Sequence, residues 1–302
     1  MPTSKHGKLI FIDTNIYLDF YRMGQKSVRE LNEIITRSVN SLISSFVVEM
    51  EFKNNRQSVI RHRLSEHTKV EEQVEKVPGD PWFVENSKNK SEIKELTKEL
   101  REHVSTTSQK IKTLIRDGSK DLILECVNKV CSNGNPNFMR LDGEATQEVR
   151  SRARERFELG MPPRKGGDIS FGDAFNWEWA MECAASQNAD LLIVSRDADY
   201  GIQLDREYYL NDWLRDEFER RVKGRTVSLC GTLSHAFKEL GVSASKELLS
   251  EENKLDQFIH NNRTEVAGSF QHLAPMGVFG QCGPIESYTT RYTFRQSGSS
   301  DD

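Results

Sequence analysis

The chain has 302 residues, 36% of them hydrophobic and 29% charged, enough apolar material for one good core with an elaboration, or for two domains. A formal charge of −4, from 42 Lys and Arg against 46 Asp and Glu, excludes a surface that is basic overall, so any nucleic-acid contact has to be a local patch. Mean hydropathy is −0.64, the apolar runs are far too short for a bilayer, and the start MPTSKHGK lacks an apolar signal core; a cytoplasmic protein without membrane contact is expected.

The five cysteines, Cys126, Cys131, Cys183, Cys230 and Cys282, form no CxxC pair. Neither a zinc site nor a disulfide framework is indicated, and their ordinary use is as small buried apolar residues. No repeat of 20 to 50 residues is visible.

Lys8 to Ile12, KLIFI, is a continuous apolar run that stops at the turn-like DTN, the appearance of a central parallel strand covered on both faces. Asp13 therefore stands at a strand's carboxyl end. Ile16, Leu18, Phe20 and Tyr21, then Val28, Leu31, Ile34 and Ile35, predict two helices broken near Gly24. Ser41 to Ser45 predicts a short strand whose Ser-Ser end caps a helix carrying VVEMEFKNNR. Strand, helices, strand and helix open an α/β wound sheet.

From Arg56 to about Lys129 the sequence is charged and helix-periodic, with Ile93, Leu96, Leu100, Val104, Ile111, Leu114 and Ile115 recurring at three, four and seven residues. A helical insertion is predicted, turning at VPGDPWF and closing at CSNGNPN. Glu148 to Lys165 carries Arg150, Arg152, Arg154, Arg156, Arg164 and Lys165. Either the helical arginines contact phosphates or they form a solvated helix surface, since a spacing of two spreads them over opposite sides; Arg164 and Lys165, in the loop before Asp173, are favoured for contact.

Asp173 opens a predicted helix to about Ser186, and Leu191 to Val194 predicts a buried strand ending at Asp197 and Asp199. Helices follow over Tyr209 to Val222, Leu233 to Leu240 and Lys246 to Asn262, with a strand at Thr226 to Leu229. Tyr288, Thr290, Tyr292 and Phe294 alternate as in an edge strand, and the final GSSDD reads as disordered. Taken singly, each acid has an ordinary use: Asp13 as a helix cap, Asp173 as the opening of a helix, Asp197 in a turn, Glu49 and Glu51 facing solvent. Trp177 and Trp179 read as core packing rather than base stacking, and His62 and His67, five apart, as surface residues. Ser195 has no nearby His to make it a nucleophile.

In combination these acids follow strand ends and helix starts in an order that brings them to one crevice of an α/β sheet. Carboxylates so gathered need a counter-charge, and an oxygen-only donor set suits Mg²⁺ or Mn²⁺ rather than zinc. The order and wording resemble the PIN-domain family of metal-dependent nucleases: FIDTN its first motif, SSFVVEMEF its second, FGDAFNWEWA its third and IVSRDADYG its fourth. The resemblance covers about Lys8 to Phe52 and Met161 to Gly201, and its further wording is similar to larger bacterial members with helical insertions.

The resemblance implies a three-layer α/β sandwich with a mostly parallel sheet. It divides the chain into a first part (1–56), the insertion (57–160), a second part (161–230) and a C-terminal extension (231–302). It implies phosphodiester hydrolysis by one or two Mg²⁺ or Mn²⁺ ions on Asp13, Glu51, Asp173 and Asp197, with Asp199 as a further ligand and Glu49 as the alternative to Glu51. Asn15 and Ser195 become supporting groups, and Arg56, Arg164, Lys165 and Arg196 the phosphate contacts, although Arg56 can instead pair with an acid. RNA is favoured over DNA, in a bacterial defence or toxin-type role. A flap- or single-strand-type DNA nuclease is one alternative. Another is a binding module without turnover, with a homo-oligomer or a regulatory partner engaging the insertion.

Overall fold

The computed structural model describes residues 7–75, 90–164 and 171–271. The predicted turn at residues 77–83, Lys165, Cys282 and the alternating segment 288–294 lie outside them. The strands are β1 Lys8–Ile12, β2 Leu42–Ser45, β3 Phe138–Met139, β4 Asp190–Val194, β5 Gly201–Leu204, β6 Glu207–Leu210 and β7 Val227–Cys230. The helices are α1 Thr14–Asp19, α2 Gln25–Ser38, α3 Phe46–Glu75, α4 Lys90–Arg116, α5 Leu122–Val130, α6 Thr146–Glu158, α7 Gly172–Gln187, α8 Asp212–Arg221, α9 Leu233–Glu239 and α10 Lys246–Gln271.

Five strands form one parallel sheet in the order β3-β2-β1-β4-β7. Successive side chains of a strand point to opposite faces, and Leu9, Ile10, Phe11 and Ile12 are all buried, so both faces of β1 are covered. Helix α7 packs on β2, β1 and β4, α5 on β2, and α9 on β4 and β7. A single large core joins the sheet to these helices, and a smaller one (Val47, Met139, Val149, Ala153, Ala174, Phe175) seats α6 and α7 against β3 and the start of α3. Elements α5, β3 and α6, which fall inside the expected insertion 57–160, are thus built into the sheet and its covering helices.

Two elements escape the sequence pattern. β3 has only two residues, too few for any periodicity. The antiparallel β5–β6 hairpin, which takes in Tyr208 to Leu210 ahead of α8, turns through Asp205 and Arg206 with φ of 49° and 69°. A two-residue turn of this hand needs positive φ at both positions, and Asp-Arg carries none of the Asn-Gly or Asp-Gly signature that announces it.

Helix α3 is fixed at both its entry and its third turn. Ser45 Oγ accepts from the backbone N–H of Val47 at 3.2 Å and Val48 at 3.3 Å, capping the helix. Arg56 Nε donates to Asp121 Oδ2 at 2.7 Å and to the Tyr21 hydroxyl at 3.1 Å, and its Nη2 to the Leu114 carbonyl at 2.9 Å. Asp121 in turn caps α5 through the N–H groups of Ile123 and Leu124. With its side chain 7% exposed and that of Asp121 2%, Arg56 is a structural tie between α3, α4 and α5. This corrects its expected place among phosphate contacts: the guanidinium spends its donors on buried protein acceptors.

The arginines of α6 divide by face. Arg152 and Arg156 turn inward to Glu178 on α7, joined by Arg221 from α8, and Arg156 also pairs with Glu217 on α8. Arg154 is exposed, and Arg150 stands 6.0 Å from the Phe46 ring centroid. Burial pushes the Glu178 carboxyl up, but Arg221 and Arg156 outweigh it and hold the group below its ordinary value.

Replacing Asp121 by Ala leaves Arg56 buried without its counter-charge, and we expect a loss of about 3–5 kcal/mol in urea unfolding. The Glu178 shift has a definite sign. A carboxyl depressed in the folded state adds stability that is full above its unfolded value, about 4.3, and is lost as pH falls through the folded one. The urea midpoint of the wild type should therefore fall on acidification below about pH 4.3, and Glu178→Gln should show a shallower fall.

Candidate active site

The site forms where the strand order changes direction, beside β1, with β2 leading away on one side and β4 on the other. The register sets Ile12 beside Val194, so Asp13 and Ser195 leave the sheet together. The Asp13 backbone N–H donates to the Val194 carbonyl at 3.0 Å. Ser195 Oγ donates to Asp13 Oδ2 at 2.6 Å and accepts from the Asp197 N–H at 3.1 Å, coupling the first acid to the turn that bears the fourth. Asn15 Nδ2 adds a second donor to Asp13 Oδ2 at 3.0 Å. Asp13 occupies the N-cap position of α1, yet its carboxylate makes no capping bond; the side chain faces Ser195 and Asn15 instead.

Glu51 approaches from α3. Its Oε2 accepts from Thr14 Oγ1 at 3.0 Å, which sets it next to Asp13. Glu49, two residues earlier and about 200° round the helix, is salt-bridged to Lys53 at 2.5 Å and acts on the Cys131 thiol. Asp173 lies in the first turn of α7, where the positive end of the helix dipole favours a carboxylate. That turn is tied to the end of β2 by the bond from Ser45 Oγ to Asn176 Oδ1, 2.6 Å.

One side chain registers all four acids. Tyr200 is 1% exposed, and its phenol is raised well above the usual value by burial first and then by Asp173, Asp13, Asp197 and Glu51 in that order. Sequence reasoning missed Tyr200 and Thr14. Their signals were adjacency alone: Thr14 lies inside DTN, and Tyr200 ends the RDADY run.

The basic candidates are placed differently. Arg196 is 8% exposed, with Nη1 on Asp19 at 2.5 Å and Nε on Asp256 at 3.1 Å. This corrects its expected role as a phosphate contact, because the guanidinium is an internal bridge from β4 to α1 and α10. Arg164 is exposed, 4.5 Å from the Phe157 ring centroid and donating to the Phe157 carbonyl. Trp177 is buried and donates to Glu217, while Trp179 donates to the carbonyls of Ser44 and Asn137. Both aromatics are packing elements.

Among the described residues no three His, Cys, Asp or Glu side chains stand together as a ready ligand group for a metal ion. The chemistry of the donors fits one nonetheless. Asp13, Glu51, Asp173, Asp197 and Asp199 offer only oxygen, as hard divalent cations require, and Asn15 adds a buried amide oxygen with no partner among the described residues.

Such a sheet, with acids drawn to its switch point, defines an α/β protein with an acidic crevice. A family model for the PIN domain matches residues 10–200. The chain belongs to the PIN-domain family, whose members are typically metal-dependent nucleases. Comparison with curated proteins and with solved structures gives no significant match. Among the described residues no helix is long and apolar enough to cross a membrane.

Ser195→Ala removes the donor to a buried carboxylate oxygen and the acceptor of the Asp197 N–H. A stability loss of about 1–3 kcal/mol is expected in chemical denaturation.

Proposed function

We propose that this protein is a metal-dependent nuclease that hydrolyses phosphodiester bonds, with Asp13, Glu51, Asp173 and Asp197 holding one or two Mg²⁺ or Mn²⁺ ions and Asp199 contributing beside them. The observation that carries this reading is the Tyr200 hydroxyl, a single buried point that feels acids from four separate stretches of the chain. Like charges brought that close raise one another's proton affinity unless a cation offsets them.

When bound, such an ion supplies a water of lowered pKa and stabilises charge on the leaving oxygen. The chain's own residues do the positioning. Ser195 and Asn15 orient Asp13, Thr14 orients Glu51, and the α7 N-terminus favours ionised Asp173. Arg164 and Lys165, which precede Asp173 in the chain, are assigned to guide the phosphate backbone. RNA as substrate rests on the likeness to the simpler family members.

The reading is tested with labelled single-stranded RNA, single-stranded DNA and a flap duplex, each with Mn²⁺, Mg²⁺ or EDTA. Single-stranded RNA should be cut with either ion and spared in EDTA, and Asp173→Asn should lower the rate by about a hundredfold or more, as loss of a charge-stabilising group does. Cleavage that survives both EDTA and the substitution would rule out the metal mechanism, and cleavage confined to DNA would replace the substrate.

A further inference from the structure

Tyr200 is more than a reporter of the acids around it. Its ring lies against β1, 6.3 Å from that of Phe11 between centroids. Its backbone is fixed at both ends, by its own N–H to the Asp197 carbonyl at 3.3 Å and by the Asn211 N–H to its carbonyl at 2.8 Å. The next residue has to be glycine, because a Cβ on Gly201 would lie 2.0 Å from the Tyr209 carbonyl oxygen. The β5–β6 hairpin thus packs directly behind Tyr200 and holds the side chain in place.

The hydroxyl at the end of this fixed ring is buried and has no hydrogen-bond partner among the described residues. Burying a polar group unsatisfied costs about 1–3 kcal/mol, so such groups in native proteins call for an explanation. A phenylalanine would fill the same space without that cost. The hydroxyl stands within the influence of four carboxylates, each a strong acceptor, yet bonds directly to none of them. A water molecule spans such a separation, accepting from the phenol and donating to a carboxylate.

We propose that the Tyr200 hydroxyl is a positioning group of the acidic site: it donates a hydrogen bond to a water held among Asp13, Glu51, Asp173 and Asp197 when a divalent cation is loaded. This inference rests on the nuclease reading and deepens it, since the group that orders a water in the hydration of the cation helps to set how tightly the cation is held.

The test is Tyr200→Phe, read by calorimetric titration of the metal-free protein with Mn²⁺ and by thermal unfolding in EDTA and in Mn²⁺. Mn²⁺ affinity is expected to fall about tenfold, the size of one hydrogen bond to a charged site. The midpoint in EDTA should stay level or rise, because an unsatisfied hydroxyl is gone, while the upward shift produced by Mn²⁺ shrinks. In the wild type, Mg²⁺ should perturb the near-ultraviolet tyrosine spectrum, and the variant should lose that change. Unchanged Mn²⁺ affinity in the variant would overturn the role of Tyr200 and leave the nuclease reading standing. A variant whose midpoint in EDTA drops by several degrees would likewise overturn it, by showing the hydroxyl to be structural. A wild type that takes up no Mn²⁺ would overturn both.

Discussion

The pairing of β1 with β4, from Lys8 beside Asp190 to Ile12 beside Val194, governs where the acids of this protein collect. Side chains alternate along a strand, so a slip of one residue would turn Leu9, Ile10, Phe11 and Ile12 to the wrong faces and part Asp13 from Ser195. The buried apolar faces enforce the register, and the register makes the 2.6 Å bond between Ser195 and Asp13 available. The hydrophobic core thereby determines a polar geometry in which it takes no part.

Charge inside the protein is managed in two distinct ways. Arg56 with Asp121, Arg156 with Glu178 and Glu217, and Arg196 with Asp19 and Asp256 are internal pairs that fasten helices to one another. Breaking such a pair costs far more than forming it gains, because the survivor keeps its desolvation penalty. The acids around Tyr200 follow the opposite logic, with like charges set side by side at a sheet end where a ligand can reach them. Two arginines adjacent in sequence to motif acids, Arg56 and Arg196, turn out to serve the first arrangement.

That division explains what the sequence could and could not convey. β1, β2, β4 and β7 were legible as short apolar runs bounded by turn residues, and the acids as residues following strand ends or opening helices, because those features are local. Glu51 and Glu49 remained alternatives until the structure placed Thr14 against the one and Lys53 against the other. The direction of an arginine is set by partners far away in the chain, such as Asp121 for Arg56 and Asp256 for Arg196, and no local pattern encodes it. β3 was too short, and the β5–β6 turn used Asp-Arg where positive φ is ordinarily announced by glycine or asparagine. Tyr200 was hidden for a different reason: an aromatic in an apolar setting reads as core, and only the company of its hydroxyl says otherwise.

Helix α3 runs unbroken from Phe46 to Glu75, a stiff rod of about 45 Å. Glu51 lies near its inner end, and the Arg56–Asp121 tie comes little more than one turn further along. That tie is a fulcrum. Sway of the outer length, from Gln57 to Glu75, pivots at a point held by three acceptors, and the short stub that bears the carboxylate stays quiet whatever the long end does.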